Sequence, residues 1–351
     1  MNPNRLSICV PTYNFGAFIG ETLESVIGQA GENVEVVVVD GASTDNTAEV
    51  VRDFQRRFPK LVSHRLPAKG GIDRDLATTM SLARGEYCWL LSSDDVVKNG
   101  AIDRVLREIA SLEDIYLCNR VECDRDLTPL RMGPWLSPHV GDRSFRFESA
   151  SSWVDYCGKA QSIGALFSYM SSIIVRRSAW DRASADEKFL GSNYAHVARL
   201  LNILQHGGRL KYIREALVDC RGGNDSFRGE GVIRRYLIDF KGYDLLASNL
   251  FQDSMVQRAL RDVVRREHRW YWLTQVRHAA RASGREWTDI DILLRSFGYP
   301  GWQLFLINAL GSSRLVMGAA FPIRRAYKRV RSLVDRRRRP RRAGGKPAAP
   351  R

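Results

Sequence analysis

Two aspartates stand side by side in the segment "YCWLLSSDDVV", which spans residues 87–97. Asp94 and Asp95 follow a short, mostly apolar run that predicts a buried strand. Two like charges at the end of such a strand repel each other and lose hydration, so they need a positive charge nearby. A hard divalent cation such as Mg²⁺ or Mn²⁺, bound by one or two carboxylates and by the phosphates of a ligand, would supply that charge.

Two further polar clusters follow apolar runs earlier in the chain. They are "PTYN", comprising Pro11, Thr12, Tyr13 and Asn14, and "DGASTDNT", which begins at Asp40 and contains Asp45. Each cluster alone is a weak signal, because a strand-ending Asp-Gly is common in turns and Asp40 by itself could cap a helix. At the ends of three successive parallel strands, the clusters together predict one ligand site. The sequence contains no GxGxxG after the first strand and no GxxxxGK[ST], which argues against a dinucleotide site and a P-loop.

The elements that position these clusters alternate between two periodicities. Residues 6–10 and 34–40 are continuous β-branched apolar runs, as expected for strands covered on both faces. Residues 15–29 and the stretch after Asp40 carry apolar residues at helical spacing, so the order predicts a parallel α/β sheet. The later predictions are strands at 61–66, 87–91 and 115–121 and within 167–180, helices ending near 83 and at 100–109 and 193–208, a loop in "SPHVGDRSFRFES", a short strand pair in "LKYIREALVDC" and mostly helix from 232.

The charge of the chain narrows the class of partner. Lysine and arginine number 54 against 39 aspartates and glutamates, which gives a net charge of +15. Much of the excess lies in residues 324–351 and suits an acidic partner: nucleic acid, an anionic membrane or a phosphate-bearing substrate. Because the sequence has no nucleic-acid-binding motif, nucleic acid is the least favoured of the three.

An apolar stretch precedes this basic block. Residues 301–321 are interrupted by Gln303, Asn308 and Arg314, which suits a helix lying in a membrane surface better than one that spans it. We therefore predict a cytoplasmic protein bound peripherally to the inner face of the cell membrane. Six scattered cysteines and the lack of an N-terminal signal pattern favour the same compartment. A tail that only aids solubility is the alternative.

At these motifs the chain resembles a known family. In order, "LSICVPTYN", "TLESVIGQ", "VEVVVVDGASTDNT" and "ARGEYCWLLSSDD" are similar to the family 2 glycosyltransferases of the GT-A fold. "SNYAHVARLL" and "GGRLKYIREALVDCRGGNDS" are similar to the closing part of the same domain. "GGIDRD" and "CRGGNDSF" most resemble the abequosyltransferase-like members, which attach sugars during O-antigen and other surface-polysaccharide assembly.

The resemblance implies a fold and an activity. It implies a Rossmann-like, mostly parallel α/β sheet and transfer of a sugar from a nucleotide-diphosphate donor to a hydroxyl of a glycan, expected to be lipid-linked. The GT-A domain would span 1–228, a helical extension 229–297, amphipathic basic membrane-associating helices 298–335 and a disordered basic tail 336–351. A catalytically degenerate GT-A fold that only binds nucleotide sugar or glycan is the alternative.

The resemblance also implies roles for individual residues. Thr12, Tyr13 and Asp40 would hold the base, Asp94 would lie against the ribose, and Asp95 would bind the metal with Asp94 beside it. The predicted nucleotide-sugar contacts are Pro11, Thr12, Tyr13, Asn14, Asp40, Asp45, Arg74, Asp94 and Arg221.

Three parts of this assignment leave alternatives open. Arg74 and Arg221 are predicted to clamp the diphosphate, although each could be an exposed, solvated arginine instead. Many family members carry a carboxylate where this chain has Ser92 or Ser93, so weak or absent metal dependence is an alternative to a required cation. Transfer with inversion also needs a group that takes the proton of the acceptor hydroxyl.

His196 is predicted to be that base. The family usually supplies Asp or Glu, but "FLGSNYAHVARLL" contains no carboxylate, and a histidine is a competent base near neutral pH. A histidine that is only satisfied within the fold, the upstream Asp186 and Glu187, and a retaining mechanism are the alternatives.

Overall fold

The chain folds around one mixed β-sheet. A computed structural model describes residues 5–184, 187–224, 231–284 and 287–313. The strands in these ranges are β1 (Leu6–Thr12), β2 (Val34–Asp40), β3 (Leu61–Arg65), β4 (Tyr87–Leu90), β5 (Val96–Val97), β6 (Ile115–Cys123), β7 (Pro129–Gly133), β8 (Arg143–Arg146), β9 (Ile173–Arg176) and β10 (Arg209–Cys220). They pair in the order β3-β2-β1-β4-β9-β6-β10-β5, with β7 beside β6 and β8 beside β10.

The helices come between the strands along the chain and after the last strand. In the same ranges they are α1 (Ile19–Ile27), α2 (Thr47–Arg57), α3 (Ile72–Leu82), α4 (Ala101–Glu108), α5 (Ala150–Lys159), α6 (Arg177–Arg182), α7 (Ala195–Gln205), α8 (Gly231–Leu250), α9 (Ser254–Glu267), α10 (Trp270–Ala282), α11 (Thr288–Ser296) and α12 (Gly301–Ser312).

β1 and β2 form the centre of the parallel half of the sheet. Every residue of both strands is buried, because helices cover both faces and the strands are continuous apolar runs. The two strands pair in parallel, from Leu6 opposite Val34 to Thr12 opposite Asp40. Leu23 of α1 lies in the core cluster with alternate residues of these strands, so the predicted strand-helix-strand order is confirmed.

The carboxyl ends of three strands lie along one edge of the sheet. β4 pairs in parallel with β1 on the side away from β2, so the ends at Thr12, Asp40 and Leu90 are neighbours, as predicted. β9 then inserts antiparallel between β4 and β6. This insertion carries the irregular middle of the chain to the end of β4, where Asp94 and Asp95 lie.

Two predictions for the middle of the chain are wrong. The segment predicted as a loop at residues 137–149 contains β8, where Phe145 is buried and pairs opposite Leu210 of β10. The alternation of polar and apolar residues from Ser144 to Phe147 has the two-residue period of a strand, so the signal was present but short. The predicted strand pair at 210–220 is instead one strand, β10, which stays paired with β6 through register irregularities between Ile213 and Val218.

The described chain forms two compact units. The first contains the sheet, the helices through α9 and residues 293–298, and the second contains residues 270–292 and those from 299 onward. Within the second unit, the rings of Trp270 and Trp302 meet edge to face at 6.1 Å, and Arg277 Nε donates to Asn308 Oδ1 at 3.1 Å. No helix in the described ranges is both long and apolar enough to cross a membrane.

The predicted domain boundaries stay predictions. α12 occupies the first part of the apolar stretch at 301–321, and its Trp302 and Phe305 are 57% and 69% exposed. The basic block that begins at Arg324 lies outside the described residues.

Candidate active site at the carboxyl edge of the sheet

The loops after β1 and β2 are tied to each other by side chains. Asn14 adopts a left-handed backbone with φ of 56°, and its N–H donates to Ser43 Oγ at 2.9 Å. Its Oδ1 accepts from Thr44 N at 2.7 Å, and Asp45 Oδ2 accepts from Gly16 N at 3.0 Å. Asn14 and Asp45, both predicted nucleotide-sugar contacts, therefore also fix the positions of the neighbouring strand ends.

Asp45 is held ionised by these bonds. Partial burial raises its pKa, but hydrogen bonds from the side chain and backbone of Thr47 and from the backbone of Gly16 outweigh that effect and lower it. Thr47 is the first residue of α2, so Asp45 also satisfies a free N–H at the start of that helix.

Thr12 and Asp40 are buried at the ends of β1 and β2. They are 4% and 2% exposed, and as register partners on parallel strands they project from the same face of the sheet. Asp40 Oδ1 accepts from Ser43 N at 2.8 Å, whereas its Oδ2 accepts no hydrogen bond from the described residues and has Arg65 Nε at 3.8 Å. Tyr13, the next residue, has Lys69 Nζ at 4.2 Å from its ring centroid.

Asp95 is buried and receives three hydrogen bonds. Tyr169 Oη and Ser171 Oγ each donate to its Oδ2 at 2.6 Å, and Arg221 N donates to its Oδ1 at 3.0 Å. Burial and the charge of Asp94 nevertheless raise the pKa of Asp95 to about 7. The three hydrogen bonds thus fix the orientation of the Asp95 side chain, but its ionised form remains unfavourable.

Asp94 shares this environment. Its carboxylate accepts from Ser92 Oγ and from Asn224 Nδ2, the latter at 2.5 Å, and burial raises its pKa despite these bonds. Ser92, one of the two serines predicted to stand where many family members have a carboxylate, therefore serves as a hydrogen-bond donor to the first aspartate.

Arg221 joins the last part of the domain to this pair. Its Nε donates to the Asp94 carbonyl at 2.9 Å, one terminal nitrogen donates to the Arg125 carbonyl at 2.7 Å, and the other donates to Glu21 Oε2 at 2.6 Å. Each guanidinium nitrogen therefore already donates to one protein acceptor, and diphosphate binding by Arg221 stays a prediction. Arg74 lies exposed in the first turn of α3, and its predicted role is likewise untested.

Sequence reasoning missed several residues around Asp95. Tyr169 and Ser171 precede β9, and Trp135 follows β7, all within the irregular region where the sequence gives no periodic signal. Arg120 of β6 stacks its guanidinium on the rings of Trp135 and Tyr169, at 3.9 and 4.8 Å from the centroids. Its Nε and one terminal nitrogen have no hydrogen-bond partner within the described ranges. Arg120, a charged residue in the middle of a strand that begins with four apolar residues, was the available signal.

His196 is buried near the start of α7. Its Nε2 lies 3.1 Å from the Phe167 carbonyl, and since a carbonyl only accepts, the neutral ring carries its proton on Nε2 and its lone pair on Nδ1. Burial lowers the pKa of His196. The negative charge of Asp73 raises it, but by less than burial lowers it. Glu187 is exposed, and Asp186 lies outside the described residues. The role of His196 as base stays a prediction.

Asp94 and Asp95 offer the carboxylate oxygens that a hard divalent cation prefers as ligands. Asp95 is buried and Asp94 is partly buried, and both have raised pKa values, so a cation would relieve their repulsion. The described ranges contain no group of three or more His, Cys, Asp and Glu residues placed to bind a metal. Two carboxylates completed by phosphate and water oxygens are the pattern that Mg²⁺ adopts in such sites.

Comparisons with known proteins show the family of this chain. Residues 7–165 match the family model described as glycosyl transferase family 2. The chain is 35% identical over 280 residues to abequosyltransferase RfbV of Salmonella typhimurium, a match covering 77% of this chain and 82% of that protein.

Solved structures share the fold. S. aureus TarS 1–349 in complex with UDP-GlcNAc has a TM-score of 0.58 at 16% identity, over 90% of this chain and 92% of that one. The mannosyltransferase PcManGT of Pyrobaculum calidifontis, in complex with GDP-Man and Mn²⁺, has a TM-score of 0.51 at 18% identity, over 89% and 90%.

The mixed sheet with its polar edge, together with these matches, defines a glycosyltransferase of the GT-A fold. The chain belongs to glycosyl transferase family 2, and its long match to abequosyltransferase RfbV confirms the predicted likeness to the abequosyltransferase-like members. This membership favours an enzyme over the binding-only alternative.

The raised pKa of Asp95 predicts a pH-dependent stability. In the unfolded chain the carboxyl has its ordinary pKa of 3.8, so between there and about 7 the folded state binds more protons and stability falls as pH rises. Replacing Asp95 by Asn removes this contribution, so we expect it to raise the free energy of unfolding at pH 8 by roughly 2 to 4 kcal/mol. Urea unfolding of both proteins at pH 5 and pH 8 measures the difference.

Asp103→Asn is the matched control, because Asp103 is an exposed carboxylate on α4. It should leave the pH dependence of unfolding unchanged. An Asp95→Asn protein that loses as much stability between pH 5 and pH 8 as the wild type would contradict the assignment.

Proposed function

We propose that this enzyme binds a nucleotide-diphosphate sugar along the carboxyl edge of β1, β2 and β4 and moves the sugar to a hydroxyl of a glycan. The observation that carries the proposal is the adjacent pair of the partly buried Asp94 and the buried Asp95 after β4, beside the polar ends of β1 and β2. The likeness to abequosyltransferase RfbV supports a deoxyhexose or hexose as the transferred sugar and O-antigen or related surface polysaccharide as the product.

The reaction is proposed to invert the anomeric centre. The acceptor oxygen bonds to the anomeric carbon as the bond from that carbon to the diphosphate oxygen breaks, and the diphosphate keeps the electron pair. The hydroxyl proton goes to Nδ1 of His196, which carries the lone pair in the neutral ring. Asp94 and Asp95 would hold a Mg²⁺ or Mn²⁺ ion, which when bound stabilises the negative charge that develops on the diphosphate.

Donor binding is tested by thermal unfolding with UDP, GDP, CDP and dTDP sugars, each with and without Mn²⁺. One nucleotide class should raise the melting temperature mainly when Mn²⁺ is present. At a hundredfold excess of ligand over Kd, the free energy of unfolding should rise by about 2.7 kcal/mol. Asp95→Ala should lose the Mn²⁺-dependent part of the shift and sugar transfer with it. Asp103→Ala on the surface should keep both, and a full shift that needs neither Mn²⁺ nor Asp95 would remove the cation from the proposal.

The role of His196 is tested with two substitutions. His196→Ala should slow transfer about 100-fold or more, in the range expected for loss of a general base, with little change in donor affinity. His196→Gln can still donate to the Phe167 carbonyl but cannot take a proton near neutral pH, so it should be equally slow. Recovery of the wild-type rate by His196→Gln would show that the histidine only holds the Phe167 backbone.

The acceptor is proposed to be lipid-linked, with the C-terminal segment bringing the enzyme to the membrane. Exposed Trp302 and Phe305 on α12 precede the basic block, and each basic residue near an anionic surface contributes about 1 kcal/mol of binding. The full-length chain should sediment with anionic vesicles but not with neutral ones. Binding should be lost on replacing by Gln the five residues Arg324, Arg325, Lys328, Arg329 and Arg331.

A control that removes three exposed basic residues elsewhere separates this segment from the general basic character of the protein. Glutamine at the exposed Arg52, Arg56 and Arg57 of α2 should leave vesicle binding unchanged. Equal losses in both variants would indicate non-specific attraction, and retention of full binding by the tail variant would refute the tail as the anchor.

A further inference from the structure

Three buried polar atoms meet at the ends of β1 and β2 without hydrogen-bond partners in the described chain. They are Thr12 Oγ1, Asp40 Oδ2 and Asp75 Oδ1. Their residues are 4%, 2% and 4% exposed. Buried polar atoms are nearly always hydrogen-bonded, so three of them at one sheet edge point to a ligand with complementary groups.

The geometry brings Asp75 of α3 to this edge. A Cβ atom at Gly41 would lie 2.5 Å from Asp75 Oδ2, so Asp75 packs directly against the backbone that follows Asp40. Only a residue without a side chain permits this approach. Asp40 in turn is the register partner of Thr12, so the three residues with unpartnered atoms are neighbours at the ends of β1 and β2.

The charges around Asp75 come from three elements. Asp40 of β2 repels its ionised form, Lys69 of the loop before α3 attracts it, and Arg65 of β3 lies 3.8 Å from Asp40. Burial first, and then the charge of Asp40, raise the pKa of Asp75 to about 6. Asp75 therefore holds a proton below about pH 6.

Asp73, two residues earlier in the chain, already accepts hydrogen bonds from the protein backbone. Its Oδ2 accepts from Gly191 N at 2.8 Å and Asn193 N at 3.0 Å, so it is committed to the loop before α7. Of the two buried aspartates in "GGIDRD", only Asp75 keeps a carboxyl oxygen free of hydrogen bonds from the described residues.

We propose that Asp75, with Asp40 and Thr12, binds the hydrogen-bonding edge of the donor's nucleobase, and that its carboxyl group is protonated when the base is bound. This inference rests on the proposed function. Asp40 Oδ2 accepts a base N–H, and the protonated Asp75 donates to the neighbouring ring nitrogen or carbonyl oxygen. The pair thus complements an edge with one donor beside one acceptor, as in cytosine and uracil, whereas two carboxyl groups that both accept would complement the two adjacent donors of guanine.

Calorimetric titration of the full chain with CDP, UDP and GDP between pH 5.5 and 8, with Mg²⁺ throughout, tests this. Relative to Asp75→Asn at the same pH, the affinity of wild type for CDP or UDP should fall by up to about tenfold per pH unit above pH 6, because the proton must be recovered on binding. The titration of Asp95 is common to both proteins and cancels in this comparison. Asp75→Asn can donate and accept at every pH, so it should bind as wild type does at pH 5.5 and lose the decline. Asp75→Ala should bind about tenfold or more weakly throughout, because the base edge loses its partner.

Glu35→Gln is the matched control. Glu35 is an equally buried carboxylate at the opposite end of β2, bonded to Ser7 Oγ at 2.5 Å, and its loss should leave nucleotide affinity and its pH dependence as in wild type. If a nucleotide binds but Asp75→Asn keeps the wild-type decline, or Asp75→Ala binds normally, the role of Asp75 is overturned while the proposed function stands. Preference for GDP with affinity rising with pH would overturn the protonated pair. No binding of any nucleotide would overturn the proposed function itself, and this inference with it.

Discussion

The burial of Asp95 beside the partly buried Asp94, just after β4, is the constraint on which the rest of this site depends. Burial and the charge of Asp94 raise the pKa of Asp95 to about 7, so its ionised form needs hydrogen-bond donors around it. β9 brings the residues just before it, Tyr169 and Ser171, and the end of β10 brings the Arg221 backbone. Both strands, of which only β9 runs antiparallel to β4, thus supply hydrogen-bond donors to Asp95.

The ends of β1 and β2 also contain buried carboxyl groups close to each other. Asp40 and Asp75 are buried beside each other with oxygens that the described chain leaves without hydrogen bonds. Along one edge the protein therefore keeps two pairs of carboxyl groups whose stabilisation is incomplete until a ligand arrives. Such an arrangement lowers the free energy of unfolding of the free protein and makes ligand binding more favourable, as is common at functional sites.

The sequence predicted those parts of the fold and site that are encoded locally. The buried runs of β1 and β2 and the polar clusters after them identify the parallel sheet and its edge. The surroundings of Asp95 could not be predicted, because Tyr169 and Arg120 reach it only through the pairing of distant strands. Asp75 was missed for a related reason: an aspartate in the first turn of α3 reads as an ordinary helix-start charge, and its contact with Gly41 exists only after α3 packs on the sheet.

The insertion of β9 between β4 and β6 also sets the order in which the enzyme can be completed during synthesis. Tyr169, Ser171 and Arg221 follow Asp95 by 74, 76 and 126 residues. A nascent chain that has not yet reached residue 173 can pair β1 to β4 but leaves β4 as an open sheet edge, with its aspartates still hydrated. Such edges recruit other strands, so the emerging chain is most exposed to aggregation during the interval in which its parallel half is already folded.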